Sequence, residues 1–294
     1  MRLLIVGASG QLGGHLLAQA RAAGHAAAGT YATVPRPGLA RLALEDGAAL
    51  EAAVADTLPD AVVLCAGWTW VDANEDDPAR SYRVNRDQPL ALARAAAAAG
   101  ADFAFFSTDY VFDGAAGPYD EDAAPRPVSV YGRAKLEAEE GLRALASEGA
   151  RVLVLRTTTV FGPEAQGKNF AYQALGRLKA GERLVVPDDQ LSTPSYGPDV
   201  AAATLALLER REAGTWNLAG PDLLDRAAFA RLLADVWGLD PALIEGRATA
   251  ALGQKAARPL RGGLRTDKLR AAGLTIRGAR AGLEALRAHL APGT

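Results

Sequence analysis

The segment GASGQLG at residues 7–13 is the feature that most restricts how this chain can fold. It directly follows the apolar run RLLIV (2–6) and directly precedes a stretch with helical character (11–23). Glycines three residues apart at such a junction permit a tight turn, a close approach of the backbone to a ligand, and close packing of the helix on the strand. The free amides at the start of the helix can then receive phosphate groups. We therefore predict a βα junction that binds a dinucleotide.

Short apolar runs alternate with helical stretches through the first half of the chain. A parallel sheet that is buried on both faces requires such nearly continuous apolar strands. Regular βαβ alternation predicts an α/β fold, a Rossmann-type doubly wound parallel sheet, with ligands at the carboxyl ends of its strands. The predicted strands are 2–7, 26–31, 61–67, 102–107 and 151–157, and the predicted helices are 11–23, 46–57, 79–99 and 131–148.

The second half of the chain is less regular. It contains a helix predicted at 199–209 with Asp199 as its N-cap, between loops rich in Pro, Gly and Ser. We predict that residues 1–158 form a dinucleotide-binding Rossmann domain to which about 182–210 returns. Residues 159–294 then form mainly a smaller, partly interleaved substrate-binding domain.

Composition excludes several classes of protein. The formal net charge is −2, which gives no electrostatic reason to expect nucleic acid as a partner. No apolar run approaches the length of a membrane span, and the single cysteine, Cys65, fits a reducing compartment. We expect a cytoplasmic protein without a membrane partner. The scattered histidines and the absence of a ligand spacing predict no metal site.

The second predicted strand carries information about the cofactor. No acidic residue occurs between positions 25 and 44, whereas Arg36 and Arg41 occur in the segment that we predict as a loop after that strand. A carboxylate there would bind the ribose of NAD and repel a 2′-phosphate, which an arginine attracts. The sequence therefore favours NADPH, with NADH as the alternative.

Two polar segments predict a catalytic site. YGRAK places Tyr131 and Lys135 one helical turn apart, and Ser107 and Thr108 end the strand DFAFFS. A phenol has an ordinary pKa of about 10, and a neighbouring ammonium stabilises its phenolate. Tyr131 could thus exchange a proton with a carbonyl or alcohol, while a strand-end hydroxyl holds the substrate oxygen.

Motifs along nearly the whole chain carry a family resemblance. They are GASGQLG (7–13), VDANEDDPARSYRVN (71–85), STDYVFDG (107–114), YDEDAAPRPVSVYGRAKLEAE (119–139), GKNF (167–170), VVPDDQLSTPSY (185–196) and RPLRGGLRTDKL (258–269). With these motifs the chain resembles the extended short-chain dehydrogenases/reductases, and within them the dTDP-4-dehydrorhamnose reductases.

The resemblance implies roles for individual residues. It implies a catalytic set of Thr108, Tyr131 and Lys135, with Ser107 as the fallback hydroxyl, and a nucleotide-sugar partner under the C-terminal part. A homodimer is left open. The implied cofactor-binding residues are Gly7, Ser9, Gly10, Gln11, Leu12, Gly13, Thr30, Arg36, Ala66, Gly67, Tyr131 and Lys135. The implied substrate-binding residues are Trp68, Thr69, Val71, Thr108, Thr159, Asn169 and Gln190.

The chain departs from the family pattern where the sugar would bind. The family's RTSWVYG is RTTTVFG here, with Thr159 in place of the aromatic residue, and AAYTAVD is AGWTWVD, with Trp68 and Trp70. The expected reaction is reduction of a nucleotide-linked 4-keto-6-deoxysugar. One alternative is a non-catalytic dinucleotide-binding subunit that resembles the regulatory β subunit of methionine adenosyltransferase, and another is an epimerase of the same family. A dehydratase is disfavoured because Asp109 is followed by Tyr110 rather than by a second acid.

Overall fold

The computed structural model describes residues 1–291. Its strands are β1 (Arg2–Val6), β2 (Ala26–Tyr31), β3 (Leu39–Arg41), β4 (Ala61–Leu64), β5 (Asp102–Thr108), β6 (Val152–Thr157), β7 (Val160–Phe161), β8 (Leu184–Pro187), β9 (Leu191–Ser192), β10 (Ser195–Tyr196), β11 (Gly214–Asn217), β12 (Leu224–Asp225) and β13 (Ile244–Arg247). Its helices are α1 (Gln11–Ala22), α2 (Gly47–Thr57), α3 (Val71–Asp76), α4 (Pro78–Tyr82), α5 (Gln88–Ala98), α6 (Val130–Ser147), α7 (Phe170–Lys179), α8 (Gly197–Glu209), α9 (Arg226–Trp237), α10 (Asp267–Ala271) and α11 (Ala279–His289).

A parallel sheet of seven strands forms the centre of the molecule. The strand order is β11-β6-β5-β4-β1-β2-β3, and every neighbouring pair is parallel. The order reverses between β1 and β4, which is where a doubly wound sheet opens its ligand crevice. The predicted fold class is confirmed.

Both faces of the sheet are covered, as their apolar sequences require. One face packs on α1 and α8, with Ile5, Leu16 and Val200 in a single buried cluster. The opposite face packs on α2, α5 and α6, through residues such as Phe105 and Leu142. Because helices cover both faces, the carboxyl edge is where side chains of the sheet can meet a ligand.

The C-terminal half forms a third buried cluster from α7, α9 and α11 together with β8 and β13. Within the predicted returning segment, α8 packs on α1, whereas β8 pairs with β13. The domain boundaries remain a prediction. Among residues 1–291, no helix is both long and apolar enough to cross a lipid bilayer.

The helix predicted at 79–99 is interrupted. It begins with Asp77 as N-cap of α4 and Pro78 at the first position, but a π-helical turn at Arg83–Asp87 separates α4 from α5. Within this turn Asn85 is fully buried; its side-chain oxygen accepts from the Trp68 amide at 3.0 Å, and its side-chain nitrogen donates to the Trp68 carbonyl at 3.1 Å. A π-helical turn of this kind is common near functional sites, and propensity alone does not reveal it.

Two further expectations were wrong in detail. Helix α8 starts at Gly197, so Asp199 lies inside its first turn, where its carboxylate accepts from the Arg277 Nε at 2.7 Å and Nη2 at 2.9 Å. The segment expected to be loop after β2 contains the edge strand β3, which includes Arg41. Asp199 thus forms an ion pair with a residue far along the chain instead of capping the helix, and β3 forms by pairing with the neighbouring β2.

Gly13 is required by helix packing. A Cβ there would lie 2.5 Å from the Gly7 carbonyl oxygen, whereas a Cβ at Gly14 would have its nearest contact at 3.4 Å, with the Ala8 carbonyl oxygen. We predict that Gly13→Ala lowers the free energy of unfolding by about 1–3 kcal/mol through overpacking. Gly14→Ala, the matched control in the same turn, should leave it unchanged or raise it by up to about 1 kcal/mol. Urea denaturation measures both, and equal stability of Gly13→Ala and wild type would contradict the packing account.

Candidate active site

Helix α6 positions the predicted tyrosine and lysine. Its first turn is capped by Ser129, whose Oγ accepts from the Gly132 amide at 3.1 Å, and by Glu75, whose carboxylate accepts from the Val130 amide at 2.7 Å. A Cβ at Gly132 would lie 2.2 Å from the Tyr110 carbonyl oxygen, so only glycine lets the helix approach the end of β5 this closely. The same approach brings Tyr131 to the carboxyl edge of the sheet.

Strand β5 ends in the predicted hydroxyl residues. The Thr108 hydroxyl oxygen accepts from the Tyr110 amide at 3.1 Å, and the hydroxyl donates to the Asp109 carboxylate at 3.3 Å. The same hydroxyl interacts with the phenol of Tyr131 and acts to lower the pKa of that phenol. Ser107, one residue earlier, faces the opposite side of the strand. Of the two candidate hydroxyls, Thr108 is the one in contact with Tyr131.

A cavity of about 460 Å³ opens at this edge, and we call it the edge cavity. The sequence-predicted residues that line it are Gln11, Leu12, Ala66, Gly67, Thr69, Val71, Thr108, Tyr131, Lys135 and Thr159. They come from the glycine loop, from the end of β4, from β5, from α6 and from the end of β6. The two polar segments singled out in the sequence are therefore parts of one site.

Lys135 lies buried in the wall of this cavity. Only 4% of its surface is exposed; its Nζ donates to the Phe106 carbonyl at 2.9 Å and lies 4.3 Å from the centre of the Phe105 ring. Burial lowers its pKa to about 7, and the negative charge of Glu139 acts in the opposite direction. The charge of this lysine is therefore sensitive to its surroundings near neutral pH.

Tyr131 differs from the expectation drawn from its sequence context. We expected Lys135 to lower its pKa, but burial of the phenol raises the pKa above its ordinary value, and Tyr110 and Asp109 add to that effect. The interaction with Thr108 opposes the shift only in part. Desolvation is the largest cause of the shift because only 6% of Tyr131 is exposed. Tyr131 is consequently a protonated phenol throughout the neutral range, which is the form that can donate a proton.

The glycine loop borders a second cavity of about 460 Å³, which we call the loop cavity. Ser9, Gly10, Gln11 and Arg36 line it, and Gln11 lines the edge cavity as well. Helix α1 has Gly10 as its N-cap and no side chain capping its amides. A helix start without a side-chain cap, between two cavities that share Gln11, fits a dinucleotide with its phosphates at the helix and its two halves on either side.

Three predicted cofactor residues shape the loop without lining either cavity. Gly7 has a φ of 91°, which disfavours any other residue, and its amide donates to the Thr30 hydroxyl at 3.1 Å. Gly13 allows the helix contact described above. These residues shape the backbone of the glycine loop, and their roles toward a cofactor remain predictions.

Three predicted substrate residues lie outside both cavities. The ring of Trp68 packs under Arg80, whose guanidinium carbon lies 4.7 Å from the ring centre. Asn169 is the N-cap of α7 and donates to the Gly162 carbonyl at 2.9 Å. The side-chain amide of Gln190 donates to the Thr249 hydroxyl at 2.8 Å and to the Gln254 side chain at 2.6 Å. In the structure these side chains are used in internal contacts, and their roles toward substrate remain predictions.

The sequence did not indicate several residues that the structure brings to the edge cavity. Asp109, Tyr110 and Arg226 line it. The buried Asp109 carboxylate accepts from the Thr158 hydroxyl at 2.8 Å and from the Gly263 amide at 3.1 Å, which ties the C-terminal segment to the site. Asp109 and Tyr110 stood in a motif that we had quoted, but nothing local to Arg226 pointed to this position, more than one hundred residues away along the chain.

Two hydroxyl groups in the edge cavity lack partners. Within the described residues, Ser107 Oγ and Thr157 Oγ1 are buried and form no hydrogen bond, although both residues line the cavity. Buried polar atoms are normally paired, so unsatisfied ones at a cavity wall indicate a place for a polar ligand. Thr159 stands beside them with a strained φ of 41°, and its hydroxyl donates to Ser192 Oγ at 2.9 Å.

Comparison with known proteins agrees with this geometry. The family model described as "RmlD substrate binding domain" matches residues 1–291. A dTDP-4-dehydrorhamnose reductase of Streptomyces griseus is 37% identical over 291 residues, covering 93% of this chain and 88% of that protein. The crystal structure of dTDP-4-dehydrorhamnose reductase from Bacillus anthracis in complex with NADP gives a TM-score of 0.88 at 25% identity, covering 98% of this chain and 99% of that one. Methionine adenosyltransferase 2 subunit beta of Xenopus tropicalis is 31% identical over 245 residues, covering 81% of this chain and 72% of that protein.

Proposed function

The chain belongs to the family described as the RmlD substrate binding domain, and on that premise we propose that it is an NADPH-dependent reductase of a nucleotide-linked 4-keto-6-deoxysugar. The observation that carries the proposal is the meeting of Thr108, Tyr131 and Lys135 on one cavity that adjoins the glycine loop. Relatives named dTDP-4-dehydrorhamnose reductase, at 37% and 35% identity over most of the chain, support the same reaction.

The residues of the edge cavity are suited to ketone reduction. NADPH, when bound, supplies the hydride. The Thr108 hydroxyl holds the ketone oxygen beside Tyr131, and the protonated phenol donates its proton to that oxygen as negative charge develops on it. The raised pKa of Tyr131 favours this direction, because the phenol is fully protonated before the reaction. Lys135, one turn below, stabilises the phenolate that the proton transfer leaves.

The loop cavity supports the preference for NADPH. Arg36 lines this cavity together with Ser9 and Gly10, and its guanidinium would contact the 2′-phosphate of a cofactor bound there. The second strand and the segment after it offer no carboxylate up to Leu44. A charge-assisted contact to phosphate is among the stronger polar interactions that a protein makes.

The far wall of the edge cavity supports a substrate that carries a diphosphate. Burial lowers the pKa of Arg226, while Tyr110 and Asp109 act to raise it and Arg258 acts to lower it. Its guanidinium carbon lies 4.8 Å from the centre of the Phe170 ring, and among the described residues its side chain is partly buried and forms no salt bridge. A partly buried cation of this kind is stabilised when an anion reaches it. The nucleotide sugar would supply that anion.

The non-catalytic reading rests on the 31% identity to the Xenopus tropicalis subunit beta and on Thr159 in place of an aromatic residue. Against it stand the higher identities to reductases and the convergence of three catalytic groups, which a binding subunit does not need. The epimerase reading rests on likeness of fold.

One assay separates these functions. Purified protein is incubated with NADPH and with dTDP-4-keto-6-deoxysugars made in situ by a dehydratase and an epimerase, and absorbance at the NADPH wavelength is followed. We predict oxidation that requires the sugar and is lost in Lys135→Ala. If no ketosugar stimulates NADPH oxidation and the protein pulls down a stoichiometric partner, the binding-subunit function would be supported instead.

We predict that Tyr131→Phe lowers kcat by about 10²-fold or more, because it removes the general acid. Its affinity for NADPH, measured by fluorescence titration, should stay close to that of the wild type, since the ring remains. Tyr82→Phe, on α4 and outside both cavities, is the matched control and should retain full turnover. Turnover of Tyr131→Phe within a few-fold of wild type would show that another group donates the proton.

Arg36 and Arg41 form a second matched pair. We predict that Arg36→Ala reduces the ratio of kcat/KM for NADPH to kcat/KM for NADH by about tenfold, the loss of one charge-assisted contact. Arg41→Ala should leave the ratio unchanged, because Arg41 lies in β3 and does not line the loop cavity. A wild-type preference for NADH, or equal effects of the two substitutions, would remove the role assigned to Arg36.

A further inference from the structure

The buried face of α6 extends one turn beyond the catalytic pair. Tyr131, Lys135 and Glu139 are spaced four residues apart, so they lie in a row on one face of the helix. Their exposed fractions are 6%, 4% and 0%. A fully buried carboxylate next to the proposed catalytic lysine is a feature that the reaction outlined above does not use.

Arg156 on β6 pairs with this carboxylate. Its Nε donates to the two Glu139 oxygens at 3.1 and 3.2 Å, and its Nη2 donates to Oε2 at 2.6 Å. The guanidinium is 2% exposed, and its Nη1 donates to the Glu121 carbonyl at 3.1 Å. A bidentate contact between a guanidinium and a carboxylate holds the carboxylate in one orientation.

Lys135 has little else to stabilise a positive charge. Its Nζ contacts the Phe106 carbonyl and the Phe105 ring of β5. A Cβ built on Gly67 would lie 3.7 Å from the same Nζ. Its titratable neighbours Tyr131 and Cys65 are uncharged at neutral pH, since burial raises the pKa of each. The cation on β6, Arg156, is itself paired. Glu139 is the buried negative charge on the same face of α6, one helical turn from Lys135, and it acts to raise the pKa of that amine.

We propose that Glu139, held by Arg156, is a positioning residue of the active site that keeps Lys135 in its ammonium form. The catalytic role of Glu139 rests on the proposed reductase function, whereas its effect on Lys135 can be tested without enzyme activity. With a neutral residue at 139, no negative charge would oppose the effect of burial on the pKa of Lys135. Lys135 would then lose its proton at a lower pH. The lysine would then be unable to stabilise the phenolate of Tyr131.

The titration of Lys135 can be measured directly. The chain contains five lysines, at 135, 168, 179, 255 and 268, so protein labelled with ¹³Cε-lysine gives few signals, and Lys135→Met assigns the one of interest. We expect that signal to titrate near pH 7 in the wild type. In Glu139→Gln it should titrate about one pH unit lower or more, the size of effect expected from an adjacent opposite charge. An unchanged titration would overturn the proposal.

Two further variants control for structure. Glu140→Gln changes the exposed neighbour on the same helix and should leave the titration as in the wild type. Because Glu139→Gln leaves a buried guanidinium unpaired, Glu139→Gln/Arg156→Met removes both charges, and circular dichroism verifies its fold. We expect the lower titration in the double variant too. A wild-type titration in the folded double variant would contradict the role of Glu139.

Activity supplies a separate readout. If Lys135 must be protonated, kcat/KM falls as pH rises through the pKa of Lys135. In Glu139→Gln the fall should occur at lower pH, with kcat/KM on the acid side within a few-fold of the wild type. A uniform loss at every pH would instead indicate a purely structural role and would overturn the proposal. If the wild type reduces no ketosugar, the proposed function fails while the lysine titration still decides the role of Glu139.

Discussion

The pairing of β5 with β6 is the interaction on which the rest of the site depends. The two strands run in parallel register from Phe103 and Val152 to Thr108 and Thr157, so their last residues meet at the carboxyl edge of the sheet. Mostly apolar side chains cover both faces of the sheet, with the buried Glu139–Arg156 ion pair as an exception beside the edge. Because α6 packs on the same two strands, its tyrosine and lysine can reach the edge without exposing the core.

Burial sets the chemistry of the groups that meet there. It raises the pKa of Tyr131 and lowers that of Lys135, so both are shifted toward their uncharged forms. The neutral phenol is the form that can donate a proton, whereas the lysine can stabilise the resulting phenolate only in its ammonium form. The negative charge of Glu139, which is paired with Arg156, opposes the effect of desolvation on the pKa of Lys135. Asp109 joins the strand end to the Gly263 amide and so couples the C-terminal half to the same cavity.

Local patterns were sufficient to predict the fold and to single out Thr108, Tyr131 and Lys135, which the structure brings to one cavity; their catalytic roles stay a prediction. The glycine loop, the apolar strands and the Tyr131/Lys135 spacing each depend on residues close in sequence, and the fold class was confirmed. The side-chain positions that could not be predicted depend on contacts between residues far apart in the sequence. Trp68 packs against Arg80, Gln190 bonds Thr249 and Gln254, and Arg226 enters the edge cavity from the start of α9. The direction of the Tyr131 pKa shift was also missed, because it is set by enclosure rather than by the lysine that the motif contains.

The central claim is that a hydride passes from a nicotinamide at this edge to the C4 carbonyl of a nucleotide sugar held against Thr108 and Tyr131. The most direct measurement is isotope transfer from NADPH carrying deuterium at C4 of the nicotinamide, prepared separately on each face, followed by mass spectrometry and NMR of the reduced sugar. The account predicts one deuterium at C4 of the sugar from one face of the nicotinamide and none from the other. Reduced sugar whose C4 hydrogen comes from solvent, or deuterium at another carbon, would contradict it.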